Sequence, residues 1–355
     1  DRRGTVYGLL DLSAELGVSP WYWWADVPIP RRPDLVLGEA CLESPEPCVR
    51  WRGIFLNDEE PCLGGWAREK FGGLNAAFYE RVFELILRLG GNFLWPAMWS
   101  KSFFEDDPAS PALADEMGIV IGTSHHEPMC RAHDEWRRHG SGPWNYEANP
   151  EALRAFWREG YERSLGLETV VTVGMRGDGD EPMSEAENIG LLERIVRDQR
   201  AIIREVSGRE PEEQPQAWAV YKEVQKYYDK GMRAPDDATI ILADDNWGNV
   251  RRLPPPSAAG RAGGWGMYYH VDYVGGPRCY KWLPTSQASR IWEQMRLCYE
   301  AGIDRLWVLN VGDLKPCENA IDFFLAMARD ADRLGAAELE EYPRAWAARQ
   351  FGAEA

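Results

Sequence analysis

The stretch Trp51-Arg52-Gly53-Ile54-Phe55-Leu56-Asn57-Asp58-Glu59-Glu60 sets the pattern on which the fold is read. An apolar run of strand length breaks off into a polar, acidic cluster. Continuous apolar residues, rather than alternation, suit a strand buried on both faces of a parallel sheet. Working outward, similar runs recur at Asn92–Met98, Ile119–Thr123, Thr169–Val173, Ala217–Tyr221, Thr239–Leu242, Met267–Val271 and Arg305–Leu309, making eight with the first. Helical segments lie between most of them. Leu74, Phe78, Val82, Leu85 and Leu89 recur at three- and four-residue spacing and mark one buried face. Ser184-x-x-Glu187 reads as a capping box opening a helix whose stripe is Leu192, Ile195, Val196, Ile202 and Val206. Ser286 to Ala301 and Ala320 to Ala328 supply the last two helices, while long loops are expected near Pro108–Pro111 and Arg251–Gly264. Eight strands alternating with helices predict an α/β fold, a (β/α)8 TIM barrel over residues 46–332. The absence of G-x-G-x-x-G after any strand removes the commonest motif of an open nucleotide-binding sheet.

The ends of the chain read differently. Gly4-Thr5-Val6-Tyr7-Gly8 leads into a helix-like stretch, Leu9 to Leu16, stopped by Gly17 in a C′ role, and a Pro-broken linker follows around Pro30–Pro33. Residues 1–45 therefore read as the C-terminal tail of a truncated α/β domain. Residues 333–355, with Glu338 to Glu341, Tyr342-Pro343 and Ala345 to Phe351, read as the start of a truncated helical domain.

Composition narrows the partners. Lys and Arg number 40 against 57 Asp and Glu, a net charge of −17 that repels phosphate backbones, so nucleic acid is not expected. No apolar run approaches the roughly 18–20 residues of a membrane helix, and no membrane partner is expected. The 17 Trp and 14 Tyr supply flat faces that stack on sugar rings, though large cores use Trp as well. The seven cysteines show no C-x-x-C spacing, so neither a zinc ribbon nor a redox motif is signalled. Cys41 and Cys48 either bridge or stay as isolated thiols.

Barrel enzymes work from the C-terminal ends of their strands. Here all eight runs end in polar or aromatic residues: Asn57-Asp58, Trp95-Pro96-Ala97-Met98-Trp99, Ser124-His125-His126-Glu127, Arg176-Gly177-Asp178-Gly179-Asp180-Glu181, Lys222-Glu223, Asp244-Asp245-Asn246-Trp247, His270-x-Asp272-Tyr273 and Asn310. Gathered into one site, these groups serve each other; scattered and buried, each would need its own partner. Bland readings stand beside the functional ones. Asp244 and Asp245 also suit turn formation, and Arg176 a surface ion pair. Asp178 and Asp180 sit in a Gly-rich loop without EF-hand spacing. His125 and His126, read as neighbours on a strand, would point to opposite faces and not both ligate one ion, so no metal is expected. Cleavage of a glycosidic bond needs a proton donor and a proton acceptor across it, usually two carboxyls. Asp180 and Glu223 follow adjacent strands and can face one substrate; no nucleophile elbow, P-loop or Cys–His motif competes.

Several ordered motifs resemble glycoside hydrolase family 115. They are Arg52-Gly53-Ile54-Phe55-Leu56-Asn57-Asp58-Glu59, His125-His126-Glu127-Pro128-Met129, Gly174-Met175-Arg176-Gly177-Asp178-Gly179-Asp180 and Val220-Tyr221-Lys222-Glu223-Val224-Gln225-x-Tyr227-Tyr228. Asp244-Asp245-Asn246-Trp247-Gly248, Tyr269-His270-x-Asp272-Tyr273 and Leu306-Trp307-Val308-Leu309-Asn310-Val311-Gly312-Asp313 continue the series, as do Arg3–Gly8 and Ser19–Val27 near the start. The resemblance implies an inverting xylan α-1,2-glucuronidase that releases glucuronic acid or its 4-O-methyl ether from glucuronoxylan or its oligosaccharides. It implies no cofactor, a secreted or periplasmic location, and a homodimeric full-length form. Carried over by position, Asp180 and Glu223 are the acid/base carboxylates. Asn57, Asp58, His125, His126, Arg176, Asn246, His270, Tyr273 and Asn310 line the substrate pocket. Release of uronic acid from arabinogalactan, or sugar binding without catalysis, are the alternatives.

Overall fold

The computed structural model describes residues 1–31, 33–34, 43–57, 60–183, 188–258, 260–273 and 283–352. Eight strands form one closed parallel barrel: β1 (Trp51–Phe55), β2 (Phe93–Trp95), β3 (Val120–Gly122), β4 (Thr169–Thr172), β5 (Gln216–Ala219), β6 (Thr239–Ala243), β7 (Trp265–His270) and β8 (Leu306–Asn310). Each apolar run of the sequence is a strand, and β8 pairs back onto β1. The register places Asn310 beside Phe55 on one side and His270 on the other, so three strands end at one level of the rim. Residues of one parity fill the barrel interior, among them Phe55, Phe93, Trp95, Val120, Val170, Ala217, Ile241, Tyr268, Leu306 and Val308. Those of the other parity, such as Ile54, Leu94, Val171, Trp218, Ile240 and Leu309, pack outward against the helices. Gly53 is needed where β1 crosses β2, because a Cβ there would stand 1.6 Å from the Phe93 carbonyl oxygen.

Among the described residues eleven α-helices surround the strands: α1 (Arg2–Glu15), α2 (Cys62–Phe71), α3 (Ala76–Arg88), α4 (Ala109–Met117), α5 (His133–His139), α6 (Pro150–Arg163), α7 (Ile189–Ser207), α8 (Glu223–Asp229), α9 (Ala288–Glu300), α10 (Glu318–Arg329) and α11 (Ala336–Phe351). Asn75 caps α3 by accepting from Phe78 N at 3.2 Å, and the stripe Phe78, Val82 and Leu85 is buried as its spacing requires. Each such side chain contributes roughly 1.5–3 kcal/mol by leaving water. On α7, Leu192, Ile195, Val196 and Ile202 are buried in the same way. The expected capping box, Ser184 and Glu187, lies outside the described residues, as does Cys41. Cys48 has a free thiol directed at the carbonyls of Met327 and Ala328.

Two local expectations are corrected. The first helix starts at Arg2 rather than Leu9, because Asp1 caps it by accepting from Gly4 N at 2.6 Å and Arg3 anchors it to the Gly118 carbonyl. Gly17 ends it at φ +98° as read. The stretch Pro108–Pro111 is no loop: Pro111 falls in the first turn of α4, where a missing N–H leaves no helical hydrogen bond unmade. The charged stretch from Glu338 to Phe351 is helical as read, with Pro343 inside a continuous α11. Between β6 and β7 the described residues contain only one short turn of 3-10 helix, Pro256–Ala258, as the sequence suggested.

Candidate active site

Two strand ends build the charged heart of the site. After β4 the chain delivers Arg176, then turns through Gly177–Asp180, closed by Gly177 N donating to the Glu181 carbonyl at 2.8 Å. After β5 it delivers Tyr221, Lys222 and Glu223, with Lys222 held at φ +51°. Asp180 also sits at positive φ, +65°. Such conformations cost about 1–3 kcal/mol each for non-glycine residues and persist where surrounding contacts enforce them. Those contacts are visible. The Trp144 indole donates to the Arg176 carbonyl at 2.9 Å, and Gln199 exchanges two 2.8 Å hydrogen bonds with the backbone of Gly174. His133 Nε2 lies 2.6 Å from Asp178 Oδ1.

Arg176 is buried at 2% exposure and joins the two acids. Its Nε and Nη2 grip Glu223 in a fork of 3.1 and 2.6 Å, while Nη1 donates to the carboxylate and carbonyl of Asp180. Lys222 Nζ reaches the second oxygen of Asp180 at 2.8 Å, and His125 Nε2 the first at 2.9 Å. A planar guanidinium can hold two carboxylates this way because its donors lie in a fixed fork. The surface ion pair considered for Arg176 is excluded by its burial.

The other half of the site is aromatic. Tyr221 donates to Asn246 Oδ1 at 2.7 Å, and Asn310 Nδ2 donates to the Tyr268 hydroxyl at 2.6 Å. Asp244 accepts from His270 Nδ1 at 2.6 Å and from the backbone N–H of Asn246, Gly248 and His270. This fixes the His270 ring and leaves its buried Nε2 without a partner. Asp245 shapes the turn, as its bland reading proposed, accepting from Trp247 N and Asn249 N. Tyr273 rests against His270 at 5.9 Å between rings, and Trp99 against His126 at 5.4 Å while donating to Asn57 Oδ1.

His125 and His126 correct the expectation that they point apart. They follow β3 in a turn, not within the strand, so the two-residue alternation does not apply, and both face Asp180, His126 Nδ1 at 3.8 Å. Burial holds both imidazoles well below the usual histidine range. For His125 the Arg176 and Lys222 charges add to this, and for His126 the neighbouring His125 and His133 do so before them. Burial likewise lowers Lys222, assisted by Arg176, and raises Tyr221 and Tyr268, which stay protonated. His125, His126 and Asp180 offer ligand atoms within 4.8 Å of one another, a spacing that suits a metal ion. Arg176 and Lys222 already pair with that same carboxylate, however, which weakens it as a ligand for a further cation. Both ring nitrogens of His126, Nδ1 of His125 and Nε2 of His270 are buried without a hydrogen-bond partner among the described residues, and they suit ligand hydroxyls.

Of the residues singled out from the sequence, Asn57, His125, His126, Arg176, Asp180, Glu223, Asn246, His270, Tyr273 and Asn310 meet in this network. Asp58 lies outside the described residues. Residues not singled out are Tyr268, His133 and Trp144, together with Trp99, Tyr221 and Lys222, which stand at recognised strand ends. Tyr268 and Tyr221 share the inward parity of their strands with His270 and Ala219, which is the signal that finds them.

A closed barrel of eight parallel strands thus carries two carboxylates joined by one guanidinium, with unpartnered imidazole nitrogens beside them, at its C-terminal rim. Residues 44–355 match the family model of glycosyl hydrolase family 115, and the chain belongs to that family. A solved structure described as a family GH115 4-O-methyl-α-glucuronidase, BtGH115A, with specificity for decorated arabinogalactans, is 37% identical at a TM-score of 0.92, covering 98% of this chain and 47% of that one. The chain thus spans about half the length of that relative. A GH138 enzyme targeting pectin rhamnogalacturonan II shares the fold alone, at 11% identity and a TM-score of 0.52 over 86% of this chain and 42% of that one. No curated protein matches the chain at a significant level.

Proposed function

We propose that this barrel hydrolyses the bond joining an α-linked glucuronic acid, or its 4-O-methyl ether, to a plant polysaccharide, with inversion at the anomeric carbon. Asp180 and Glu223 share the proton work: one protonates the leaving oxygen and the other activates water on the opposite face of the ring. The observation that carries this reading is the single buried guanidinium of Arg176 joined to both acids. It fixes their mutual placement and supplies, together with Lys222, the positive charge that a uronate carboxylate needs on leaving water. The unpaired nitrogens of His126 and His270 then take sugar hydroxyls.

Glucuronoxylan is the substrate implied by the sequence motifs. The arabinogalactan specificity of BtGH115A favours decorated arabinogalactan as a second reading. The same proposal includes a secreted or periplasmic location and a homodimeric full-length form. Incubation with each polymer separates the substrates, with released uronic acid quantified by chromatography and its first-formed anomer read by proton NMR. Initial release of the β-anomer supports inversion. Release of no uronic acid from either polymer, or of the α-anomer first, refutes the proposal.

A further inference from the structure

The charged and aromatic halves of the site imply a division of labour at its rim. Arg176, Lys222, Asp180 and Glu223 cluster at the ends of β4 and β5. The end of β6 instead presents Trp247, the only exposed tryptophan among the described residues, at 43% exposure. It directly follows Asn246, which accepts from Tyr221, and its ring lies 5.8 Å from that of Tyr273, which in turn abuts His270. An apolar face thus borders the polar pocket beyond His270 and Tyr273.

Its backbone is held firmly. Asp245 Oδ1 accepts from Trp247 N at 3.0 Å and Asn249 N at 3.1 Å, and Asp244 accepts from the N–H groups of Asn246 and Gly248. The Tyr269 hydroxyl donates to the Gly248 carbonyl at 3.1 Å, and Asp244 bridges antiparallel to Val250 across the base of the turn. An exposed aromatic ring on a backbone fixed in this way binds without the cost of ordering a loop. The apolar C–H face of a pyranose is its natural complement.

We infer that Trp247, flanked by Tyr273, is the binding platform for the neutral sugar to which the uronic acid is attached, on the leaving-group side of the scissile bond. The inference rests on the proposed hydrolysis and deepens it: the charged half takes the uronate and the Trp247 face takes its uncharged neighbour. Exposure makes Trp247→Ala compatible with folding, and Trp247→Phe keeps an aromatic face as the conservative control.

Binding is measured calorimetrically in a Glu223→Gln background, which prevents turnover, with two probes. One is free glucuronic acid; the other is 4-O-methyl-glucuronic acid α-1,2-linked to a xylooligosaccharide. Trp247→Ala should weaken the oligosaccharide at least tenfold and leave glucuronic acid within twofold, and Trp247→Phe should recover most of the loss. In the otherwise wild-type enzyme, the same substitution should raise KM for the oligosaccharide with kcat little changed. Equal weakening of both probes, or no weakening of the oligosaccharide, while the parent binds both, overturns the platform and leaves the hydrolase reading standing. A parent that binds neither probe overturns the hydrolase reading, and the platform with it.

Discussion

Replacing Glu127 by glutamine should stabilise the protein, and more so as pH rises. Glu127 is buried, its Oε1 accepts from His133 N at 2.9 Å at the start of α5, and burial pushes its carboxyl up to about 8 from the ordinary 4.5. Between those values the folded chain retains a proton that the unfolded chain releases. Stability is therefore at its full value below about pH 4.5 and is lost as pH climbs through this window, by about 1.4 kcal/mol per pH unit. The loss reaches roughly 4–5 kcal/mol by pH 8. Glutamine keeps a carbonyl oxygen for His133 N and has no proton to lose. Urea titrations of both proteins at each pH from 5 to 8 measure the difference directly. Buried neutral histidines, which weaken the fold as pH drops below about 6.5, contribute equally to both and cancel. The expected result is a stability gain near zero at the acid end that grows steadily toward pH 8. A gain independent of pH, or a loss that grows with pH, would refute the reasoning. The outcome bears on the site because His133 opens α5 and steadies Asp178, two residues before Asp180.

Two further outcomes follow from the network. Arg176→Lys keeps the charge and loses the fork that holds Glu223 at 3.1 and 2.6 Å. Breaking so buried a pairing costs about 3–5 kcal/mol, and uronic acid release should fall at least about 100-fold; a variant with wild-type melting and rate would show that the fork is dispensable. Asp244→Asn replaces the acceptor that fixes His270 at 2.6 Å, with three backbone N–H groups facing the same carboxylate. Steady-state kinetics should show at least about a 100-fold fall in kcat/KM, with stability reduced by about 1.5–3 kcal/mol, and unchanged kinetics would remove His270 from the site.

The barrel is legible in the sequence because parallel strands buried on both faces are written as unbroken apolar runs, and all eight runs are strands. The helices α3 and α7 are equally plain from their stripes, and α9 and α10 fall where the sequence reads as helical. What misleads is local chemistry overridden by position. Pro111 reads as a breaker but costs nothing in the first turn of α4, and Gly4 to Gly8 read as leading into a helix although Asp1 caps a helix running through them. At the site, residues that directly end strands are found by reading rim positions, since the barrel brings those ends together whatever the loops do. His125 and His126 needed the strand to end at Gly122, ahead of them both, which the sequence pattern does not mark. His133 reaches Asp178 from α5 and Trp144 reaches the Arg176 carbonyl from the loop beyond it, and no spacing in one sequence connects them.

The central claim is that Asp180 and Glu223, joined through Arg176, carry the hydrolysis. Its most direct test is the initial rate of glucuronic or 4-O-methyl-glucuronic acid release from glucuronoxylan and from decorated arabinogalactan by Asp180→Asn and Glu223→Gln. Circular dichroism establishes that each variant is folded. Loss of a general acid or base predicts a fall of about 10²- to 10⁴-fold for each variant on whichever polymer the wild type cleaves. Release at a near wild-type rate by either variant would contradict the account.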